Sequence, residues 1–227
     1  MVKKYTDNIK NDLYYTKRIL KNIEVSTRYL KGKNQDDIIN DGFLCDAIQN
    51  RFTRLAEDAS HLSKEYKETI KSIPWDGVVS IRNRICHDYD VVENVTLYKT
   101  IKIDFPIVRK ELLNKIICHY LNLQPVPFSL IMSKNKTIEM RLNDEKRKKM
   151  KTGDVIVFIN NKTKEEMIAE IIDIKPYKDF VELYSNYSKS KLGYLVDEQA
   201  NPDDMLIYYS KDAITKYGVL AIEIKVY

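Results

Sequence analysis

Apolar positions in the first half of the chain return at steps of three and four. Ile9, Leu13, Leu20, Ile23 and Leu30 trace one face of a long helix, closed by the break Lys31-Gly32-Lys33-Asn34. Leu44, Ile48, Phe52, Leu55, Ala59 and Leu62 trace a second, and two such stripes predict an antiparallel pair. A short helix is predicted over 64–71. Asp76, just after Pro74-Trp75, is placed to cap the next one through Val79 and Ile85. Asn94 is placed to cap a last helix carrying Leu97, Ile101, Val108, Leu112 and Ile116. Pro106 predicts a kink in it, because the ring removes an amide and meets the preceding turn.

After residue 117 the period changes. The first strand is predicted near 117–123, and the β-branched runs 154–158, 167–174 and 218–226 predict further strands separated by polar turns. Helical pieces are expected at 178–187 and 203–209. The pattern thus predicts an α+β chain of two domains, an antiparallel helical bundle over 1–117 and a small β-rich domain over 118–227.

Composition narrows the class. A chain of 227 residues with 44% hydrophobic and 31% charged residues is neither disordered nor collagen-like. No apolar run approaches the roughly 18 residues that span a bilayer, so no membrane association is expected. The opening MVKKYTDNIKNDLYY lacks the apolar core of a secretory signal, which makes a cytoplasmic location the expectation. Cys45, Cys86 and Cys118 have no CxxC spacing, which argues against a disulfide framework and against zinc; no metal or cofactor is expected. The net charge of +5 is small. It matters locally, because residues 134–151 carry eight basic residues against Glu139, Asp144 and Glu145. That segment, with Lys146 and Arg147 near its centre, can hold a phosphate backbone, or it is a solvated turn.

The densest chemistry lies in Ile81-Arg82-Asn83-Arg84-Ile85-Cys86-His87-Asp88-Tyr89. On a helix, Asn83 and His87 share a face, and the long Arg82 side chain can swing toward it. An imidazole that titrates near neutrality can take the 2′-OH proton of RNA or protonate the leaving 5′-oxygen. A guanidinium supplies positive charge for the phosphorane, and the Asn83 amide can hold His87 or a phosphate oxygen. One histidine leaves a second acid/base missing, which a two-fold dimer would supply.

Arg82-x4-His87-x-Tyr89, following Trp75 in IPWDGVVSIRN and preceded by Asp46-Ala47-Ile48 and Leu55-Ala56-Glu57-Asp58-Ala59, resembles the HepT-like HEPN toxins over about residues 5–117. The resemblance implies a ribonuclease site at Arg82 and His87 in a homodimer cleft, with Asn83 at the polar position beside the arginine. It also gives Tyr89 the place of a tyrosine that a minimal nucleotidyltransferase antitoxin adenylylates. Phosphates added there would occupy the substrate's phosphate position.

The remainder is similar to an ASCH domain, a small β-barrel of the PUA-like group. The similarity is carried by His119-Tyr-Leu-Asn-Leu-Gln-Pro-Val-Pro-Phe128, Lys136-Thr-Ile-Glu-Met-Arg-Leu-Asn-Asp-Glu-Lys-Arg147 and Lys151-Thr-Gly-Asp-Val-Ile-Val-Phe158. It continues through Tyr177–Leu183, Met205–Ser210 and Tyr217–Ile224. It implies binding of RNA or modified nucleosides; one branch hydrolyses N4-acetylcytidine with Lys, Thr and Glu. Lys136 matches that lysine, Glu139 stands at the threonine and Asp203 near the glutamate, and Lys134 replaces a turn glycine. Strand alternation puts Glu139 and Arg141 on one face, where they can pair, and Lys136 on the other unless a bulge intervenes. The sequence therefore points to a HEPN-type endoribonuclease whose ASCH domain binds or selects RNA. The alternatives are a deacetylase or amidohydrolase of modified nucleosides and a non-catalytic RNA-binding protein.

Overall fold

A computed structural model describes residues 11–87 and 94–227; the side chains of residues 82–84, 86, 87 and 94 lie outside that description. The chain forms two compact units that divide between Ile116 and Ile117.

The first unit is helical: α1 (Asp12–Tyr29), α2 (Gln35–Asn40), α3 (Gly42–Ser60), α4 (Lys64–Glu68), α5 (Trp75–His87), α6 (Asn94–Lys99) and α7 (Phe105–Leu113). Its core follows the expected stripes. Ile19, Leu20, Ile23 and Leu30 are buried against Leu44, Ile48, Phe52, Leu55 and Ala59, and α3 packs on both α1 and α5. Phe52 stacks on Phe105 with ring centroids 5.1 Å apart, and a cluster of large aromatics is what gives a small bundle its cohesion. Gly32 ends the first turn at φ +72°, a conformation that suits a residue without Cβ. Asn34 and Asp37 then form a reciprocal capping box for α2, a helix absent from the sequence reading and anchored by the buried Ile38.

Several local expectations change. Ile9 lies outside the described residues, and Leu13 is 45% exposed; the buried position in that turn is Thr16, whose hydroxyl donates to the Tyr66 hydroxyl at 2.8 Å. Asp76 sits in the first turn of α5, and the helix already begins at Trp75, behind Pro74, whose carbonyl accepts from Val78 N at 3.0 Å. A carboxylate in that turn still complements the helix dipole. Trp75 packs, its Nε1 donating to Lys67 O at 3.3 Å.

The predicted kink at Pro106 is a π-helical turn over Thr100–Asp104, between α6 and α7. The wide turn lets Phe105 N reach Thr100 O and places Pro106 in the first turn of α7, so the missing amide falls where the π register gives way to the α register. The helix ends at Leu113, so Ile116 falls beyond it.

Asp12 ties the bundle's ends together: its carboxylate accepts from Ser63 N and Ser63 Oγ, both at 2.7 Å, while Ser63 caps α4. Asp12→Ala is expected to lower the stability of the chain by about 1–2 kcal/mol, measured by urea denaturation.

The second unit contains β1 (Cys118–Leu123), α8 (Pro125–Met132), β2 (Ile138–Leu142), β3 (Val155–Asn160), β4 (Glu166–Tyr177), α9 (Phe180–Asn186), α10 (Lys189–Leu192), α11 (Lys211–Tyr217) and β5 (Val219–Val226). The strands form one curled sheet, a half-barrel, in the order β1-β3-β4-β5-β2. β1 and β3 are parallel and every other pair is antiparallel. The 203–209 piece is a 3-10 helix over Pro202–Ile207, and α8 and α11 were not expected from the periodicity.

Alternation on β5 splits the apolar residues between two cores. Leu220, Ile222 and Ile224 join Leu121, Phe128, Phe158 and Ile171 inside the curl. Val219 and Ala221 join Ile138, Met140, Leu142, Phe180 and Leu183 on the opposite face. The antiparallel register pairs Glu139 with Ile222 and Arg141 with Leu220. Directly opposed residues share a face, so two charged side chains are built into the apolar interior of the half-barrel. Among the described residues, no helix is long and apolar enough to cross a membrane.

Candidate functional sites

β1 and β2 are the two edges of the curled sheet, and the seam between them holds a cavity of about 310 Å³. Asn122 and Leu123 line it from β1, Glu139 and Arg141 from β2, and Lys136 and Tyr209 complete its charged wall. Lys136 precedes β2, so strand parity does not govern it. Its backbone is held by Lys136 N to Leu130 O and Thr137 N to Lys191 O, both at 3.0 Å, and its side chain turns to the same cavity as Glu139. The opposite-face expectation for Lys136 is thereby corrected.

The three charges form a buried triad. Arg141 Nε donates to Glu139 Oε1 at 2.7 Å, and Lys136 Nζ lies 3.1 Å from Glu139 Oε2. The lysine contact is off the hydrogen-bonding direction, so Oε2 keeps hydrogen-bonding capacity of its own. Side-chain exposure is 4% for Glu139, 9% for Lys136 and 14% for Arg141. Burial by itself would raise the Glu139 carboxyl, but the adjacent Lys136 and Arg141 charges outweigh it and hold the group below the usual carboxylate range. Arg141 also donates through Nη2 to Asn122 O at 2.8 Å, bridging the two sheet edges, and has the Tyr209 hydroxyl within hydrogen-bonding reach. Tyr209 in turn stacks on Phe180 at 5.9 Å.

The other residues of the basic segment divide into two groups. Arg147 pairs with Asp144 and Lys148 with Glu145, whereas Lys134, Lys146, Lys149 and Lys151 are exposed. Half of the eight cations are thus held by carboxylates within the segment, which leaves a smaller free positive surface than the raw count implies. Lys134 adopts φ +64°, so the turn keeps the left-handed backbone that suits glycine and adds a charge, at a cost of about 1 kcal/mol. Lys146, Arg147 and Asp203 are not among the residues lining the cavity; Asp203 lies exposed in the first turn of the 3-10 helix. Gly153-Asp154 is a turn into β3, where Asp154 accepts from Lys151 N at 3.0 Å and contacts His119 Nε2 at 2.8 Å.

Sequence reasoning gave no role to Asn122, Gln124, Asn161, Tyr208 or Tyr209, all of which line the cavity. Asn122 and Gln124 lie in the His119–Phe128 segment and Tyr208 and Tyr209 in the Met205–Ser210 segment that carry the ASCH resemblance, which was the signal available for them.

In the helical unit, Arg82, Asn83 and His87 all fall on α5, within its last two turns or so, and Tyr89 lies outside the described residues. Below them, Ile81 joins Ile19, Phe52, Trp75 and Phe105 around an apolar cavity of about 340 Å³. His61 is the C-cap of α3, stacked on Tyr15 at 4.9 Å and 3.4 Å from Glu57.

The two halves of this α+β chain match two families. Residues 19–115 match the family described as Ribonuclease HepT-like, and residues 121–226 match the ASCH domain. The chain joins a HepT-like domain to an ASCH domain.

Among curated relatives, it is 30% identical over 99 residues to a protein named gamma-glutamylcyclotransferase and putative RNase, from Methanocaldococcus jannaschii. That alignment covers 44% of this chain and 45% of the relative, so the chain spans less than half of the relative's length. It is 26% identical over 97 residues to a protein named putative RNase from Caldanaerobacter subterraneus subsp. tengcongensis, covering 43% of this chain and 87% of the relative. A solution structure of protein PF0455 from Pyrococcus furiosus aligns at 30% identity and a TM-score of 0.40, covering 48% of this chain and 97% of that one.

Proposed function

We propose that the chain is an endoribonuclease of the HEPN toxin type. The observation that carries this reading is the coincidence of Arg82, Asn83 and His87 on α5 with the HepT-like match over residues 19–115. His87 of one subunit removes the 2′-OH proton, the oxygen attacks the adjacent phosphorus in line, and the P–O5′ bond breaks. The 5′-oxygen takes its proton from the second subunit's imidazole. Arg82 stabilises the charge that builds on the phosphoryl oxygens, and Asn83 orients the imidazole or a phosphate oxygen. Every proton transfer is assigned to a side chain, so the reaction is metal-independent. Homodimerisation through the helical domain supplies the second histidine. A minimal nucleotidyltransferase antitoxin that adenylylates Tyr89 would silence the enzyme by filling the phosphate site.

The ASCH domain holds one nucleotide of the same RNA in the seam cavity, at Lys136, Glu139 and Arg141. Lys146 and Arg147 lie farther along the same basic segment, outside the cavity lining. The cavity's mixture of two cations, a carboxylate, amides and tyrosines suits a nucleobase edge better than a row of phosphates. The amidohydrolase alternative draws less support: Glu139 stands at the threonine position, its carboxylate is bound by two cations, and Asp203 is outside the cavity lining.

Purified full-length chain incubated with tRNA or mRNA in EDTA is expected to yield fragments ending in 2′,3′-cyclic phosphate, read by mass spectrometry. Fragments carrying 5′-phosphate and 3′-hydroxyl ends would overturn the proposed chemistry.

A further inference from the structure

The seam cavity has two cations, and they are differently placed. Arg141 is committed to the protein: Nε to Glu139 Oε1 at 2.7 Å, Nη2 to Asn122 O at 2.8 Å, and Tyr209 close by. Lys136 is not. Its ammonium has three N–H donors, its side chain is 9% exposed, and Glu139 is its ionic partner among the described residues. An ammonium that lines a cavity and has one ionic partner keeps N–H donors that a ligand entering the cavity can take.

What keeps Lys136 in this pose is a glycine. Gly193 ends α10 at φ +102°, its amide bonded to Ser190 O at 3.0 Å. A Cβ built on it would lie 3.0 Å from Lys136 Cδ, 3.3 Å from Cγ and 3.4 Å from Cβ. The contact runs along the near part of the lysine stem rather than its free end, so a side chain at 193 makes the stem give by a few tenths of an ångström or more, and the ammonium shifts with it. Gly32, also at positive φ (+72°), has nothing within 4 Å of such a Cβ. The backbone demand is common to both glycines; the close approach belongs to Gly193.

We infer that Gly193 is a positioning residue for Lys136: it leaves the space through which the lysine stem carries its ammonium to the nucleotide in the cavity. This rests on the reading that the cavity holds part of an RNA. Lys136 and Glu139 Oε2 then present a donor beside an acceptor, complementary to a base edge with a carbonyl or ring nitrogen next to an N–H. Arg141 fixes Glu139 in that pair.

The test measures the affinity of the full chain, carrying His87→Ala so that the probe survives, for a labelled mixed-sequence single-stranded RNA oligonucleotide. Lys136→Ala and Gly193→Ala are each expected to weaken binding about tenfold. The double variant is expected to bind no more weakly than Lys136→Ala alone, since Gly193 acts through the lysine. Gly32→Ala, a second substitution at positive φ with no neighbour within 4 Å, is expected to bind as the parent does.

Unchanged binding by Lys136→Ala would overturn the cavity reading itself. Loss with Lys136→Ala but none with Gly193→Ala, or additive losses in the double variant, would overturn the role of Gly193 alone. Stability gives a second readout if Gly193→Ala folds poorly. The stability cost of Gly193→Ala should be smaller once Lys136→Ala removes Cγ and Cδ, and an equal cost in both backgrounds would reduce Gly193 to a helix-ending glycine.

Discussion

His87→Ala is expected to lower the rate of RNA cleavage by about 10²–10⁴-fold, the range lost with one general acid or base. The loss should fall on kcat, because the imidazole acts on protons in flight and contributes little to holding RNA. RNA affinity, measured by fluorescence anisotropy, should stay near that of the parent. The pH profile separates this role from a structural one. If two copies of the same histidine act as base and acid, the wild-type rate rises and then falls around neutrality, near the unperturbed imidazole value of about 6.5. The residual rate of the variant should be flat over that window. A variant that kept the bell-shaped profile would place the acid/base pair elsewhere.

The largest expected effect on stability is at Glu139. Glu139→Gln keeps the shape but removes the carboxylate that pairs with both Lys136 and Arg141, leaving two poorly exposed cations facing each other. Breaking such a buried arrangement from one side costs about 3–5 kcal/mol, visible in thermal or urea unfolding of the full chain.

The sign of the pH dependence follows from the carboxyl. Its folded pKa is lowered relative to the unfolded chain, so its stabilising contribution is complete above about pH 4.3, the unfolded value. It is lost as pH falls below that toward the folded value. Wild type should therefore lose stability in acid, whereas Glu139→Gln should be weaker at neutral pH and lose less on acidification. A Glu139→Gln chain as stable as wild type at pH 7 would show that the triad is not a buried charge arrangement at all.

The helical stripes were legible because burial there follows a single period. Ile48, Phe52 and Ala59 are buried where steps of three and four put them. The break at Pro106 was legible, but its form was not. The π turn at Thr100–Asp104 answers to a proline six residues downstream of its start, and no hydrophobic spacing signals a widened turn. On the β side, runs of Val and Ile marked β3, β4 and β5. The helices α8 and α11 escaped because PVPFSLIM is apolar throughout and KDAITKY is short and mostly polar, so neither shows a stripe.

The same limit applies at the cavity. The Glu139–Arg141 pair could be read from strand alternation, whereas Lys136 joins it from a loop, and Tyr209 and Asn122 come from elements far away in sequence. Gly193 looks from sequence like an ordinary helix-ending glycine. Its approach to Lys136 depends on a tertiary fold that brings residues 136 and 193 together.

The central claim is that RNA is cut by the groups on α5. It is tested most directly by the initial rate of RNA cleavage in EDTA for purified wild type and for Arg82→Ala, each shown to be folded by circular dichroism. The proposed chemistry predicts cutting by the wild type and a loss of at least about a hundredfold in the variant, since a guanidinium at the developing phosphorane charge is worth that much or more. Undiminished cutting by Arg82→Ala, or wild-type cutting that stops once EDTA is added, would contradict it.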